Sequence, residues 1–334
     1  MLITENQLDE WVRAHSRDAQ GMIVELVRRL AAASCPKPRE RRFPLGDSIG
    51  QHGPDGFLDV DLPFGPFVPE GRSYWEIGTG LNARNKATSD YNDLTAAVPE
   101  SVRVKTTFVF VTPLSGRRDW EYSWKEDAQA AWLDDRYNRK EWRDVRIING
   151  TKLIDWVIQF PPVELWLAQK ISGIPTGQIE IPEQHWSVVS SIGEPPPLIP
   201  DLFLANRTEA SAKLKEVFDG TTIQLKLTTH YPDQVVDFVS AYLASLDNEN
   251  RTDAVGRCLI VSGIDGWKTI CNHSQVRNHI LIADAALDLC GDTGTKLIQM
   301  ARRGGHAVIF GDDHTRSGQI TPLEQACRPG YETP

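Results

Sequence analysis

Between residues 4 and 34 the apolar positions Leu8, Trp11, Val12, Ile23, Leu26, Val27 and Leu30 recur three and four apart, the period of one helix face. Thr4 and Gln7 have the spacing of a capping box ahead of this stretch, and a polar break at 16–20 divides it in two. Residues 36–42 are basic and read as linker, and 46–56 form a turn-rich loop. Alternating or β-branched runs then predict strands at 57–62, 72–79, 104–111 and 145–148. Helical stretches are expected at 85–97, at 125–134, and around Leu153, Trp156 and Val157 with an end near Pro161-Pro162. The order in this half is α-β-β-α-β-α-β-α.

Residues 173–200 hold six prolines and little periodicity, the pattern of a linker that stays on the surface because Ile179, Ile181 and Trp186 are apolar. Beyond it the pattern changes. Near-continuous apolar runs at 222–227, 258–262, 279–283 and 307–311 alternate with helical stretches near 208–218, 233–246 and 294–303, which indicates a parallel sheet covered on both faces. The expected organisation is therefore an α/β chain with domains at 1–172 and 201–334 joined by 173–200. No closing helix follows the fourth run, so further domains are expected beyond residue 334.

Composition narrows the class. A chain of 334 residues, 40% hydrophobic and 24% charged, can bury two cores, and no apolar run reaches the length of a membrane span. The polar, acidic start lacks the features of a signal peptide. Five cysteines form no C-x-x-C and no Cys/His cluster at zinc spacing, which excludes structural zinc and a disulfide framework and fits reduced thiols in a cytosol. A net charge of −9 rules out nucleic-acid binding by bulk attraction, so any such contact needs a local basic surface. Residues 103–146 offer a mild one, with ten Lys/Arg against eight Asp/Glu. Eight of the ten tryptophans lie between Trp75 and Trp186, which sets the first half apart from the second.

The chemistry-bearing stretch is Gly53-Pro54-Asp55-Gly56, followed after an interval by Trp75-Glu76-Ile77-Gly78-Thr79 and Asn85-Lys86-Ala87. Two acids on neighbouring strands, each beside a turn, can converge at one sheet edge and hold a hard divalent cation through carboxylate oxygens. A nearby lysine can then orient water or neutralise developing charge. Glu76 stands out because a carboxylate in mid-strand breaks a local rule, as functional sites tend to do. Asp59 and Asp61 alternate along the Asp55 strand, on the same face, and are candidate auxiliary ligands.

These runs, together with Phe43-Pro44-Leu45-Gly46-Asp47, Phe67-Val68-Pro69-Glu70-Gly71, Asp90-Tyr91 and Phe108-Val109-Phe110-Val111-Thr112-Pro113, resemble a known domain over residues 5–170. It is the restriction-endonuclease-like N-terminal domain of STAND-type (Avs-like) bacterial anti-phage defence proteins, within the PD-(D/E)xK nuclease superfamily. The resemblance implies an αβββαβ core, with Asp55 and Glu76 as the acids that bind Mg²⁺ or Mn²⁺. It implies a homo-oligomeric cytoplasmic endonuclease whose substrate is DNA, most naturally double-stranded, with a groove completed by the basic residues of 103–146. Gly78 stands where the superfamily has lysine, and Lys86 is the residue that can supply the amine from a migrated position. Glu25 matches a position at which some of these nucleases carry an extra acid. The alternative reading is a decayed nuclease fold that senses phage components or scaffolds an assembly without cleaving.

The second half is tested against nucleotide-binding motifs. Gly263-Ile264-Asp265-Gly266-Trp267-Lys268-Thr269 and Gly291-Asp292-Thr293-Gly294-Thr295-Lys296 both lack the spacing of a phosphate-binding loop. The segments Leu204-Ala205-Asn206-Arg207, 222–246 and 303–309 resemble the degenerate NTPase-like region that follows the nuclease domain in the same proteins, which implies a regulatory or scaffold role. No G-x-S-x-G elbow is present, His306 reads as a packing residue, and Cys258, Cys271 and Cys290 read as inert thiols.

Overall fold

Thr4 accepts from the Gln7 amide and its own backbone is capped by the Gln7 side chain, so the first helix, α1 (Glu5–Ala14), starts on the predicted capping box. The break before α2 (Ser16–Ser34) is confined to His15, with φ −126° and ψ 46°. Residues 16–20 are helical, because polar side chains on the solvent side of a helix do not interrupt it. The computed structural model describes residues 3–45, 53–116, 124–172, 177–192, 197–272 and 278–313. The turn-rich loop at 46–52, Arg117 and Arg118 of the basic run, and everything after 313 lie outside the described residues.

The chain divides into two units, Met1–Gly173 and Ile174–Pro334. The first is built on β1 (Glu40–Arg42), β2 (Gly56–Val60), β3 (Gly71–Ile77), α3 (Ala83–Ala97), α4 (Glu100–Arg103), β4 (Thr106–Val111), α5 (Glu126–Arg139), β5 (Asp144–Ile148), α6 (Gly150–Val157) and α7 (Pro161–Ser172). Its five strands lie in the order β1-β2-β3-β4-β5. The first three pair antiparallel, and β3-β4-β5 are parallel. The basic stretch expected as linker is therefore an edge strand in part. Its charges suit an edge, where they discourage pairing with another chain. Pro161 opens α7 rather than closing a helix, since proline at a first helical turn gives up only an amide that has no partner there.

Tryptophans fill both faces of this sheet. On one, Trp75 of β3 meets Phe43 edge-on at 5.8 Å and Trp156 of α6 at 6.1 Å, and Trp156 stacks on Phe67 at 5.4 Å. On the other, Tyr91 of α3 packs edge-on against Phe108 of β4 and Trp132 of α5. Strands β2 and β4 are buried at every position, as a sheet covered by helices on both faces requires.

The second unit comprises β6 (Ile179–Glu180), α8 (Pro182–Ser190), α9 (Pro200–Leu204), α10 (Thr208–Phe218), β7 (Gln224–Thr229), α11 (Gln234–Ser245), α12 (Asn248–Val255), β8 (Cys258–Val261), α13 (Ile264–Asn272), β9 (Ile280–Ala283), α14 (Asp292–Arg303) and β10 (Ala307–Asp313). The sheet order is β6-β8-β9-β10-β7, parallel throughout except for β6. Both parts of the molecule are thus α/β with five-stranded sheets, mixed in the first and mostly parallel in the second. Among the described residues no helix is long and apolar enough to cross a membrane.

Residues 179–190, expected as linker, are instead an edge strand and a helix of the second unit. The apolar residues noted there explain it: Ile181 is buried, and Ile179 pairs with Val261. His185 of α8 ties the segment down, with Nε2 2.7 Å from Asp237 of α11 and Nδ1 3.3 Å from Glu180. Burial pulls the imidazolium down, but the hydrogen bonds and charges of Asp237 and Glu180 prevail and raise it to about 9. The stabilisation from this pairing is complete below the ordinary histidine value of 6.5 and is lost as pH rises through about 9. His185→Gln is expected to cost about 1–2 kcal/mol at pH 7, discounted for partial exposure. Thermal melts from pH 6 to 10 check this. A wild-type advantage that persists undiminished at pH 10 overturns it.

Candidate active site

Asp55 is the last residue before β2, and the pairing of Gly56 with Trp75 places it opposite Glu76 on β3. Its Oδ2 accepts the Ile77 amide at 2.8 Å, which closes the end of the antiparallel ladder and orients the carboxyl group along the strand ends. Glu76 is 7% exposed. Burial is the largest influence on it, followed by the charges of Asp55 and Asp90, and together they raise its carboxyl to about 9. Lys86 only partly offsets them. Glu76 therefore keeps its proton at neutral pH, as a carboxyl desolvated near other acidic groups does.

Lys86 comes from the first turn of α3, whose start is set by Asn82 accepting the Asn85 amide. Beyond Ile77, the Gly78 amide donates to Val111, which continues the β3–β4 pairing for one more residue. A Cβ on Gly78 would lie 2.6 Å from Cζ of Phe110 and 3.1 Å from Cγ of Lys86. The stem of Lys86 thus lies against the space that a side chain at position 78 would need. A lysine at 78 and a lysine at 86 compete for one volume, and this chain has taken the second.

The Lys86 ammonium is 2.6 Å from Oδ1 of Asp90, one helical turn on. Burial acts to lower the lysine, yet the hydrogen bond and charge of Asp90, with Glu76 and Asp55, hold it above its ordinary value. Asp90 is displaced upward by its own burial, against the pull of Lys86. The structure accordingly brings together Asp55, Glu76 and Lys86, and adds Asp90. That residue entered the sequence reading only within a run of resemblance. Its i,i+4 distance from a candidate lysine on an expected helix was the available signal.

The auxiliary acids have arginine partners. Glu25 is held by Arg29 at 2.7 Å, and that guanidinium covers the Trp166 ring at 4.4 Å. Asp59 is about 13 Å from Asp55 along the strand, at about 3.3 Å per residue. It faces Arg39 and Arg72, and Asp61 is bound by Arg39. Several basic residues of 103–146 are engaged within the first unit. Arg103 donates to the carbonyls of Val98 and Glu141, Arg143 to that of Glu70, and Arg136 lies over Trp132.

The second unit's glycine runs are closed by their own chain. The Gly266 amide donates to Gln178 Oε1, and a Cβ on Gly263 would meet that side chain at 2.2 Å. Gly294 packs against the Leu289 backbone. His306 is buried against His279, as its position before a strand suggests. Burial pushes the thiols of Cys35 and Cys271 up to about 11 and those of Cys258 and Cys290 up to about 12, far from the thiolate that nucleophilic chemistry needs. Compared with protein-family models, curated proteins and solved structures, the chain matches none.

Proposed function

We propose that the first unit is a metal-dependent endonuclease that hydrolyses phosphodiester bonds of double-stranded DNA, in a role of anti-phage defence. The observation that carries this reading is the Asp55–Glu76 pair, set opposite each other at two strand ends, with the Lys86 stem laid over Gly78 beside it. The order helix, three strands, helix, strand through α2, β1, β2, β3, α3 and β4 supports it, because that is the core order the resemblance implies.

Two oxygen-donor carboxylates suit a Mg²⁺ or Mn²⁺ ion, which commonly takes one or two from the protein and completes its shell with waters and substrate phosphate. The donor set fits on that ground, although among the described residues no group of three His, Cys, Asp or Glu is arranged to hold a metal. The proton on Glu76 is the positive charge that such an ion would replace. Bound there, the ion would supply charge to polarise a phosphoryl oxygen. The protein's own groups do the rest. The Ile77 amide keeps Asp55 oriented, and the Lys86 ammonium neutralises charge that develops on the scissile phosphate as water attacks. Within the same proposal the second unit is a nucleotide-fold-like module that regulates or scaffolds, since its glycine runs are filled by Gln178 and Leu289.

Asp55→Ala is expected to lower metal-dependent plasmid cleavage by about 10²- to 10³-fold, the scale on which a single preorganised electrostatic group acts. Incubation of supercoiled plasmid with Mg²⁺ or Mn²⁺ measures it. Cleavage that survives the substitution sinks the site, and a wild type that never cleaves sinks the reading.

A further inference from the structure

Lys86 poses a problem of aim. Half of its side chain is exposed, and a four-carbon stem on the first turn of a helix samples many rotamers. Gly78 leaves room for the stem but places no group on the ammonium. Asp90 does, at 2.6 Å, and unlike the lysine it is almost wholly buried, at 7% exposed.

Asp90 is a poor choice for any purely structural purpose. Aspartate is an inferior helix former, and a lysine placed N-terminal to its acid is the weaker order for an i,i+4 pair. Its second oxygen, Oδ2, is buried with no hydrogen-bond partner. A half-satisfied carboxylate in a covered position is a local rule broken, and its charge is felt by Glu76 across the site.

We propose that Asp90 is a positioning residue of the nuclease site, fixing the ammonium of Lys86, whose stem lies over Gly78, for its work at the Asp55–Glu76 pair. The proposal rests on the endonuclease reading for its consequence in catalysis, but the clamp itself is tested apart from activity. Acetylation of lysines by limiting acetic anhydride, followed by peptide mass spectrometry, reads how firmly the Lys86 amine is held. In Asp90→Ala the Lys86 modification rate is expected to rise about 5- to 20-fold relative to other exposed lysines, with Asp90→Asn between variant and wild type. Should Asp90→Ala fail to fold, Asp90→Asn carries the comparison alone.

On plasmid, Asp90→Ala is expected to lower kcat about 10- to 100-fold with KM for DNA within about twofold, and Asp90→Asn to recover part of the loss. The double variant Lys86→Ala/Asp90→Ala is expected to be no slower than Lys86→Ala, because a residue that acts only through Lys86 has nothing left to position. An unchanged Lys86 acetylation rate overturns the clamp. Losses that multiply in the double variant overturn the positioning role. If the wild type cleaves nothing with Mg²⁺ or Mn²⁺ the endonuclease reading fails, and the acetylation result still decides whether Asp90 holds Lys86.

Discussion

Glu76→Gln is expected to lower cleavage by about 10²- to 10³-fold and, in the same molecule, to stabilise the fold. The two effects have one cause. In the folded state Glu76 keeps its proton up to about pH 9, whereas in the unfolded chain it loses it near the ordinary value of 4.5. Between those limits folding takes up a proton, so the stability of the wild type falls as pH rises through the window. Glutamine has the same shape and no proton to lose, so the variant should show no such decline. With the neighbouring Lys86 and local relaxation allowed for, the advantage of the variant at pH 8 is about 1–3 kcal/mol, and each kcal/mol moves the melting temperature by about 2–4 °C in a unit of this size. Melts in chelator from pH 5 to 9 and plasmid assays with Mg²⁺ measure the two halves. The cleavage loss should match that of Asp55→Ala, about 10²- to 10³-fold. An active variant, or a stability difference that does not grow with pH, contradicts the arrangement.

Trp75→Ala should unfold much of the first unit. The indole is fully buried, and its Nε1 donates to Ser73 Oγ at 2.9 Å, which in turn donates to the Leu58 carbonyl. Phe43 and Trp156 pack against it from two directions, so little is free to collapse into the space left behind. Truncations of this kind cost about 3–5 kcal/mol, through lost transfer energy and the residual cavity. The melting transition of the first unit is expected to fall by about 6–20 °C. Trp75→Phe, which keeps most of the volume and loses the Nε1 donor, should cost less than half as much. Melting followed by tryptophan fluorescence and circular dichroism tests both, and a change of under about 2 °C in Trp75→Ala refutes the packing argument. The neighbouring residue in the chain, Glu76, points to the opposite face of β3, which is how one strand serves the core and the site at once.

The tryptophan excess in the first half of the chain belongs mainly to packing. Trp75, Trp132, Trp142 and Trp156 are buried among other rings. Composition marked the two halves as different but could not say whether the rings faced inward, because exposure is a property of tertiary contacts. The basic run is similar. Its mild charge excess was legible, whereas the use of Arg103 and Arg143 to satisfy carbonyls was not, since those carbonyls are 5, 38 and 73 residues away in sequence.

What the sequence by itself determined is local or periodic. The capping box at Thr4, the helices of 85–97, 208–218 and 294–303, and the apolar runs of the parallel sheet were all readable, because hydrophobic period and short-range hydrogen bonding are written within a few residues. Asp55, Glu76 and Lys86 were legible as candidates from residue type and spacing. Only the tertiary structure decided the rest. It made 40–42 an edge strand and 179–190 an edge strand and helix of the second unit, since each strand depends on a partner distant in sequence. It gave Glu25, Asp59 and Asp61 arginine partners, and set Asp59 four residues along the chain from Asp55. It also placed Phe110 and the Lys86 stem over Gly78, with Asp90 on the ammonium. The physical reason is that a carboxylate's role follows from what desolvates it and which charges face it, and strand register and helix packing set both.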